Sequence, residues 1–188
     1  MSLQEAKTVA VLVGSERRAS LSRKIANAVV TLAPIGLEFE VVGLGDLPIY
    51  NQDLDDDGKT PIPWAIFRDR MKSFDAVLFV TPEHSRSVPA LLKNALDVGS
   101  RPRGQSVWLG KPAAIISISP GAIGGFGASH HLRQILAGLG VPTLSHPEVY
   151  LSNVTSLLDD QGNLVNDDTR KFLTTFMEAF DDWIARNA

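Results

Sequence analysis

The chain has 188 residues, 44% of them hydrophobic and 21% charged, with a formal net charge of −3. That length and apolar fraction suit one domain with a sizeable core, and the lack of a basic excess points away from nucleic acid and anionic membranes. With no cysteine, the chain has no disulfide, thiol nucleophile, iron–sulfur ligand set or thiolate zinc site.

The opening MSLQEAKTVAVLVGSERR has mixed charge, a short apolar run and no small-residue cleavage site, so it does not read as a signal peptide. No later run approaches the roughly 20 apolar residues of a membrane span. A cytoplasmic protein is expected. TVAVLV (8–13) reads as a buried strand. SLSRKIANAVVTLA (20–33) carries Leu21, Ile25, Ala28, Val29 and Leu32 at helical spacing. LEFEVVGL (37–44) alternates like a half-covered or edge strand. Residues 63–74 form a helix with Pro63 at its start, and DAVLFV (75–80) is a third strand. VPALLKNALDVGS (88–100) is a helix opened by Pro89, and PAAIISIS (112–119) is a fourth strand. A helix over 127–139 ends near Gly138 and Gly140, and a proline-interrupted fifth strand lies within 142–151. The closing helix, 167–187, places Phe172, Phe176, Phe180 and Trp183 on one stripe.

Strand–helix alternation of this kind predicts an α/β fold, a parallel sheet with helices on both faces. Two connections, 45–62 and 151–166, are long and acidic. In such sheets ligands bind beyond the carboxyl ends of the strands. The loops there are GSERRAS (14–20), TPEHSRS (81–87) and SPGAIGGFG (119–127). The first sets Ser15, Arg17, Arg18, Ser20 and Ser22 at a helix start, where free N–H groups and the helix dipole favour an anion. The second offers Pro82, Glu83, His84 and Ser85, a set of hydrogen-bonding groups with one flat ring. The third offers Gly121, Gly124, Gly125 and Gly127, which let backbone approach a ligand. Together they describe a site for a phosphate at one end and something flat at the other.

GSERRASLSRKIA resembles the GSLRxxSxN opening of the NADPH-dependent FMN reductase family of flavodoxin-like proteins. TPEHSRSVPALLKNALDVGSRP resembles that family's TPEYNxSxPGxLKNAIDWxSRP, and KPAAIISISPGAIGGFGASHHLRQIL resembles its third segment. The resemblance covers roughly residues 8–150. It implies a single flavodoxin-like domain over 1–188, with a five-stranded parallel sheet in the order 2-1-3-4-5. It also implies non-covalent FMN, NADPH or NADH as electron donor, and ping-pong reduction of quinones or similar small acceptors such as chromate, azo compounds or free flavin. Carried over, Ser15, Arg17, Ser20 and Ser22 hold the FMN phosphate. Pro82, Glu83, His84 and Ser85 line the isoalloxazine ring, and Ser117 and Gly121 approach it from strand four. The flavin carries the chemistry, so no catalytic side chain and no metal is expected. A homodimer or homotetramer is implied, with Leu47, Pro48, Ile49, Tyr50, Trp64 and Phe67 either contacts or ordinary core.

The chain departs from the family pattern at several positions. His84 stands for Tyr, Ser85 and Ser22 for Asn, Glu16 for Leu, Ala90 for Gly and Val98 for Trp. A flavodoxin-like electron carrier and a flavin-free binding protein share the fold and are the alternative readings. DLDDDGK (53–59) imitates the start of a calcium loop, but position twelve is Trp64 and two prolines intrude. It reads as an acidic surface turn. Adjacent His130 and His131 diverge on a helix and do not share a zinc ion.

Overall fold

In the computed structural model, which describes residues 6–187, five parallel strands form one sheet in the order β2-β1-β3-β4-β5. They are β1 (Lys7–Val13), β2 (Leu37–Val42), β3 (Ala76–Pro82), β4 (Ala113–Ile118) and β5 (Val149–Leu151). Helices α1 (Leu21–Val30), α2 (Gln52–Asp56), α3 (Ile62–Lys72), α4 (Ala90–Gly99), α5 (Phe126–Gly138) and α6 (Asp167–Asn187) surround it. The strand order and parallel sense are those the resemblance implies.

The sheet is covered on both sides. Val9, Val11 and Val13 of β1 pack with α1 and α6, while Ala10 and Leu12 face the layer of α3, α4 and α5. A strand buried on both faces needs apolar residues at every position, which explains why TVAVLV and DAVLFV read as continuous runs. β2 is an edge strand, and only Val42 within it is fully buried, so its alternating pattern fits its place.

Three details differ from the sequence reading. β5 is only three residues long. Residues 142–144 pair with Ala113 first, and pairing resumes at Val149 after Pro147. The buried stripe of α6 is Leu173, Phe176, Met177, Phe180 and Ile184, with Phe172 exposed and Trp183 flanking. The connection 45–62 contains α2, which Asn51 caps through its side chain.

That connection is fastened to the body. Asn94 of α4 accepts from the Tyr50 N–H at 2.9 Å and donates to the carbonyls of Leu47 and Pro48. Trp64 donates its indole N–H to Pro48 as well. Asp55 is bound by Arg68 through two hydrogen bonds and accepts a third from Thr60. The calcium-like spacing of DLDDDGK therefore belongs to a short helix whose Asp55 is committed to an arginine. Trp64 and Phe67, candidate subunit contacts by sequence, are core residues, 0% and 4% exposed. Trp108 lies against Gly99: a Cβ at position 99 would come within 2.6 Å of the indole. The indole N–H donates to the Leu96 carbonyl.

Candidate functional site

The carboxyl ends of β1, β3 and β4 release three loops around a cavity of about 250 Å³. The first loop supplies Ser15, Arg17, Ser20, Leu21 and Ser22 to its wall, the second Pro82, Glu83 and His84, and the third Ile118, Ser119 and Pro120.

Ser20 is the N-cap of α1, and its hydroxyl oxygen accepts from the Arg23 N–H at 3.1 Å. That bond uses an acceptor lone pair and leaves the hydroxyl hydrogen free to donate. The N–H groups of Leu21 and Ser22, in the first turn, have no acceptor within the helix. Ser22 is buried. Glu16 bridges two neighbours: one oxygen lies 3.8 Å from the Arg23 guanidinium, and the other accepts from the Leu44 N–H. Arg23 is thus paired outside the cavity, while Arg17 lines it. The first and second loops touch closely at Gly14, where a Cβ would lie 3.0 Å from Pro82 and from Thr81.

In the second loop, His84 and Ser87 exchange both backbone hydrogen bonds, closing a tight turn. Its central residues, Ser85 and Arg86, have φ of +50° and +65°. Both fall in the left-handed region that a type I′ turn requires. The Ser87 hydroxyl meets His131 Nδ1 at 2.7 Å. Glu83 reaches across to α5, its Oε2 accepting from the Ala128 N–H at 3.1 Å.

The third loop is held from below. Ser117 is fully buried and donates to the Gly124 carbonyl at 2.8 Å, and Ser119 accepts from the Gly124 N–H. Gly124 and Gly125 both have positive φ, and a Cβ on Gly124 would lie 2.7 Å from the Tyr150 backbone.

Of the ten residues singled out from the sequence, Ser15, Arg17, Ser20, Ser22, Pro82, Glu83 and His84 meet at this one cavity. Ser85 lies on the exposed turn outside the lining, Ser117 lies beneath the third loop, and Gly121 sits exposed outside the lining. Leu21, Ile118, Ser119 and Pro120 line the cavity without having been singled out. Their signal was position alone, directly beside the residues already named. No group of three or more His, Cys, Asp or Glu among the described residues is placed to hold a metal ion.

Residues 8–156 match the profile of the NADPH-dependent FMN reductase family. The chain belongs to that family. Two of its similar relatives are a quinone reductase of Pseudomonas putida, 52% identical over 98% of each chain, and a 2-hydroxy-1,4-benzoquinone reductase of Burkholderia sp., 47% identical over 94% of this chain and 95% of that one. Among solved structures, FerB, a flavoenzyme NAD(P)H:(acceptor) oxidoreductase from Paracoccus denitrificans, superposes with a TM-score of 0.90 at 43% identity. The superposition covers 97% of this chain and 99% of that one. Family membership bears out the expected fold, the oxidoreductase class, FMN as cofactor and a reduced pyridine nucleotide as donor.

The donor set fits the phosphate end of FMN. One guanidinium, a capping hydroxyl with its hydrogen free and two unspent N–H groups converge at a helix N-terminus, where the helix dipole favours negative charge.

Proposed function

We propose that this chain is an FMN-dependent NAD(P)H:quinone oxidoreductase. One observation carries the reading: the helix N-terminus with its arginine and serines shares a single cavity with the loops after β3 and β4. Relatives similar over nearly the whole chain bear names of quinone reduction, which supports the acceptor class. The overall reaction is NAD(P)H plus a proton and a quinone, giving NAD(P)⁺ and a hydroquinone.

Bound FMN supplies the hydride relay between the two substrates. The protein supplies placement. Arg17 grips the phosphate with charge-assisted bonds, and Ser15, Ser20 and Ser22 complete its cradle. Pro82 and the flat face of His84 border the ring, with Ser85 holding the turn that presents them. Ser117 acts from beneath, by fixing the third loop through Gly124, and Gly121 leaves the loop's outer edge open to a ligand. One site serving donor and acceptor in turn gives parallel lines in initial-rate kinetics. Intersecting lines with a demonstrated ternary complex would overturn the shared site.

The same reading makes the chain one flavodoxin-like domain that forms a homodimer or homotetramer in the cytoplasm. No described helix is long and apolar enough to cross a membrane. The exposed Ile49, Ile62 and Ile66 offer apolar surface for a second copy. Light scattering of the purified protein measures the oligomer directly.

The deciding experiment is an absorption spectrum of protein reconstituted with FMN and desalted, then treated anaerobically with NADPH and afterwards with a benzoquinone. Retained flavin bands that bleach and return are expected. Protein that keeps no flavin, or bands that do not return with quinone, would overturn the proposal.

A further inference from the structure

Glu83 stands in the second loop, and the resemblance assigns it to the flavin ring. Its carboxylate is engaged elsewhere. Oε2 accepts from the backbone N–H of Ala128, and Oε1 accepts from Arg86 Nη1 at 3.3 Å. The Glu83 side chain is 12% exposed, whereas that of Arg86 is 74% exposed, so the Arg86 pair is screened by solvent and contributes little. The bond to Ala128 is the sheltered one.

That bond fills a gap in α5. The N-cap of the helix is Gly125, with φ +76° and no side chain to bond the first-turn N–H groups. Ala128 is the third residue of the helix, the position whose N–H an N-cap side chain ordinarily receives. Glu83 supplies the missing acceptor from another loop, with a negative charge at the positive end of the helix dipole. The approach depends on Gly127, where a Cβ would lie 2.9 Å from Glu83 Oε2 and 3.0 Å from the Arg86 carbonyl.

We infer that Glu83 is a positioning residue, a through-space cap of α5 that locks the second loop to the third and so fixes the width of the cavity. It acts on the bound group through the main chain of both loops and makes no contact to the flavin with its carboxylate. The effect on FMN rests on the proposed function; the coupling between the loops does not.

Two variants separate the cap from the charge. Glu83→Gln keeps a carbonyl oxygen for Ala128, and Glu83→Ala keeps nothing. In protein free of FMN, amide exchange at Ala128 is expected to speed up about tenfold in Glu83→Ala and to stay near the wild-type rate in Glu83→Gln. The FMN dissociation constant, titrated by flavin fluorescence, is expected to rise about tenfold in Glu83→Ala and to stay within about threefold in Glu83→Gln. An Ala128 amide that exchanges at the wild-type rate in Glu83→Ala overturns the inference. So does an unchanged FMN dissociation constant in that variant. A wild-type protein that binds no FMN, with an Ala128 amide that still responds, would instead strike the cofactor reading and leave the coupling standing.

Discussion

Asp55 and Arg68 form a two-bond ion pair at 2.9 and 2.7 Å, with side chains 4% and 7% exposed. The guanidinium also donates to the Val98 carbonyl, so the pair pins the connection after β2 to both α3 and α4. Losing one partner strands a buried charge. Asp55→Asn is expected to cost about 3 kcal/mol, read from urea unfolding at pH 7. A loss below about 1 kcal/mol would mean that the loop readjusts and re-solvates Arg68.

The same pair sets a pH dependence. Hydrogen bonds from Arg68 hold the Asp55 carboxyl below its ordinary value of 3.8, against the opposing effect of burial. A carboxyl depressed in the folded state stabilises the protein above the unfolded value, and that stabilisation is lost as pH falls through the folded value. The stability gap between wild type and Asp55→Asn should therefore be full at neutral pH and close below pH 3.8. A gap that stays constant down to unfolding would remove Asp55 as its source.

Ser85 and Arg86 occupy successive left-handed positions without a glycine or asparagine between them. Such residues cost of order 1–3 kcal/mol each, and asparagine bears the conformation better than serine. Ser85→Asn, the residue that the resemblance gives at this position, should raise the melting temperature by a few degrees. Ser85→Val should lower it by a larger amount. The reverse order would show that the turn is held by Ser85 itself.

Arg17 lines the cavity on an exposed loop and makes no salt bridge among the described residues. Arg17→Ala should weaken FMN binding by about tenfold or more, from a charge-assisted bond worth roughly 1.5–3 kcal/mol. Riboflavin, which lacks the phosphate, should bind both proteins alike. Equal loss for the two flavins would place Arg17 near the ring.

Ser117 is wholly buried, and its hydroxyl serves the Gly124 carbonyl. Ser117→Ala leaves that carbonyl without this donor and should cost about 1–3 kcal/mol in thermal unfolding. Unchanged stability would mean that the glycine loop is held by Ser119 and the Tyr150 backbone alone.

The sheet was legible because β1 and β3 are buried on both faces, and burial of that kind leaves an unbroken apolar run. α2 was not legible: QDLDD has no apolar stripe, and its stability comes from a cap and from Arg68 thirteen residues on. The α6 stripe was misplaced by following the aromatic residues, when Leu173, Met177 and Ile184 share the work of burial. At the site, the first loop's cavity-lining residues could be read because a helix start gathers its donors locally. The role of Glu83 could not, since its partner is 45 residues away. Ser85 lies on the exposed turn beside cavity-lining residues, and its left-handed backbone angle is a demand of the loop that spacing alone does not show.

The contact between Gly99 and Trp108 has a consequence for how sequences of this kind can vary. The indole occupies the space that any side chain at position 99 would need. A descendant of this chain could gain even a methyl group there only after trading the tryptophan for something smaller, and a shrinkage at 108 alone would leave a hole. The two positions constrain each other, so randomising 99 and 108 together is expected to find folded variants at 99 that randomising 99 alone would miss.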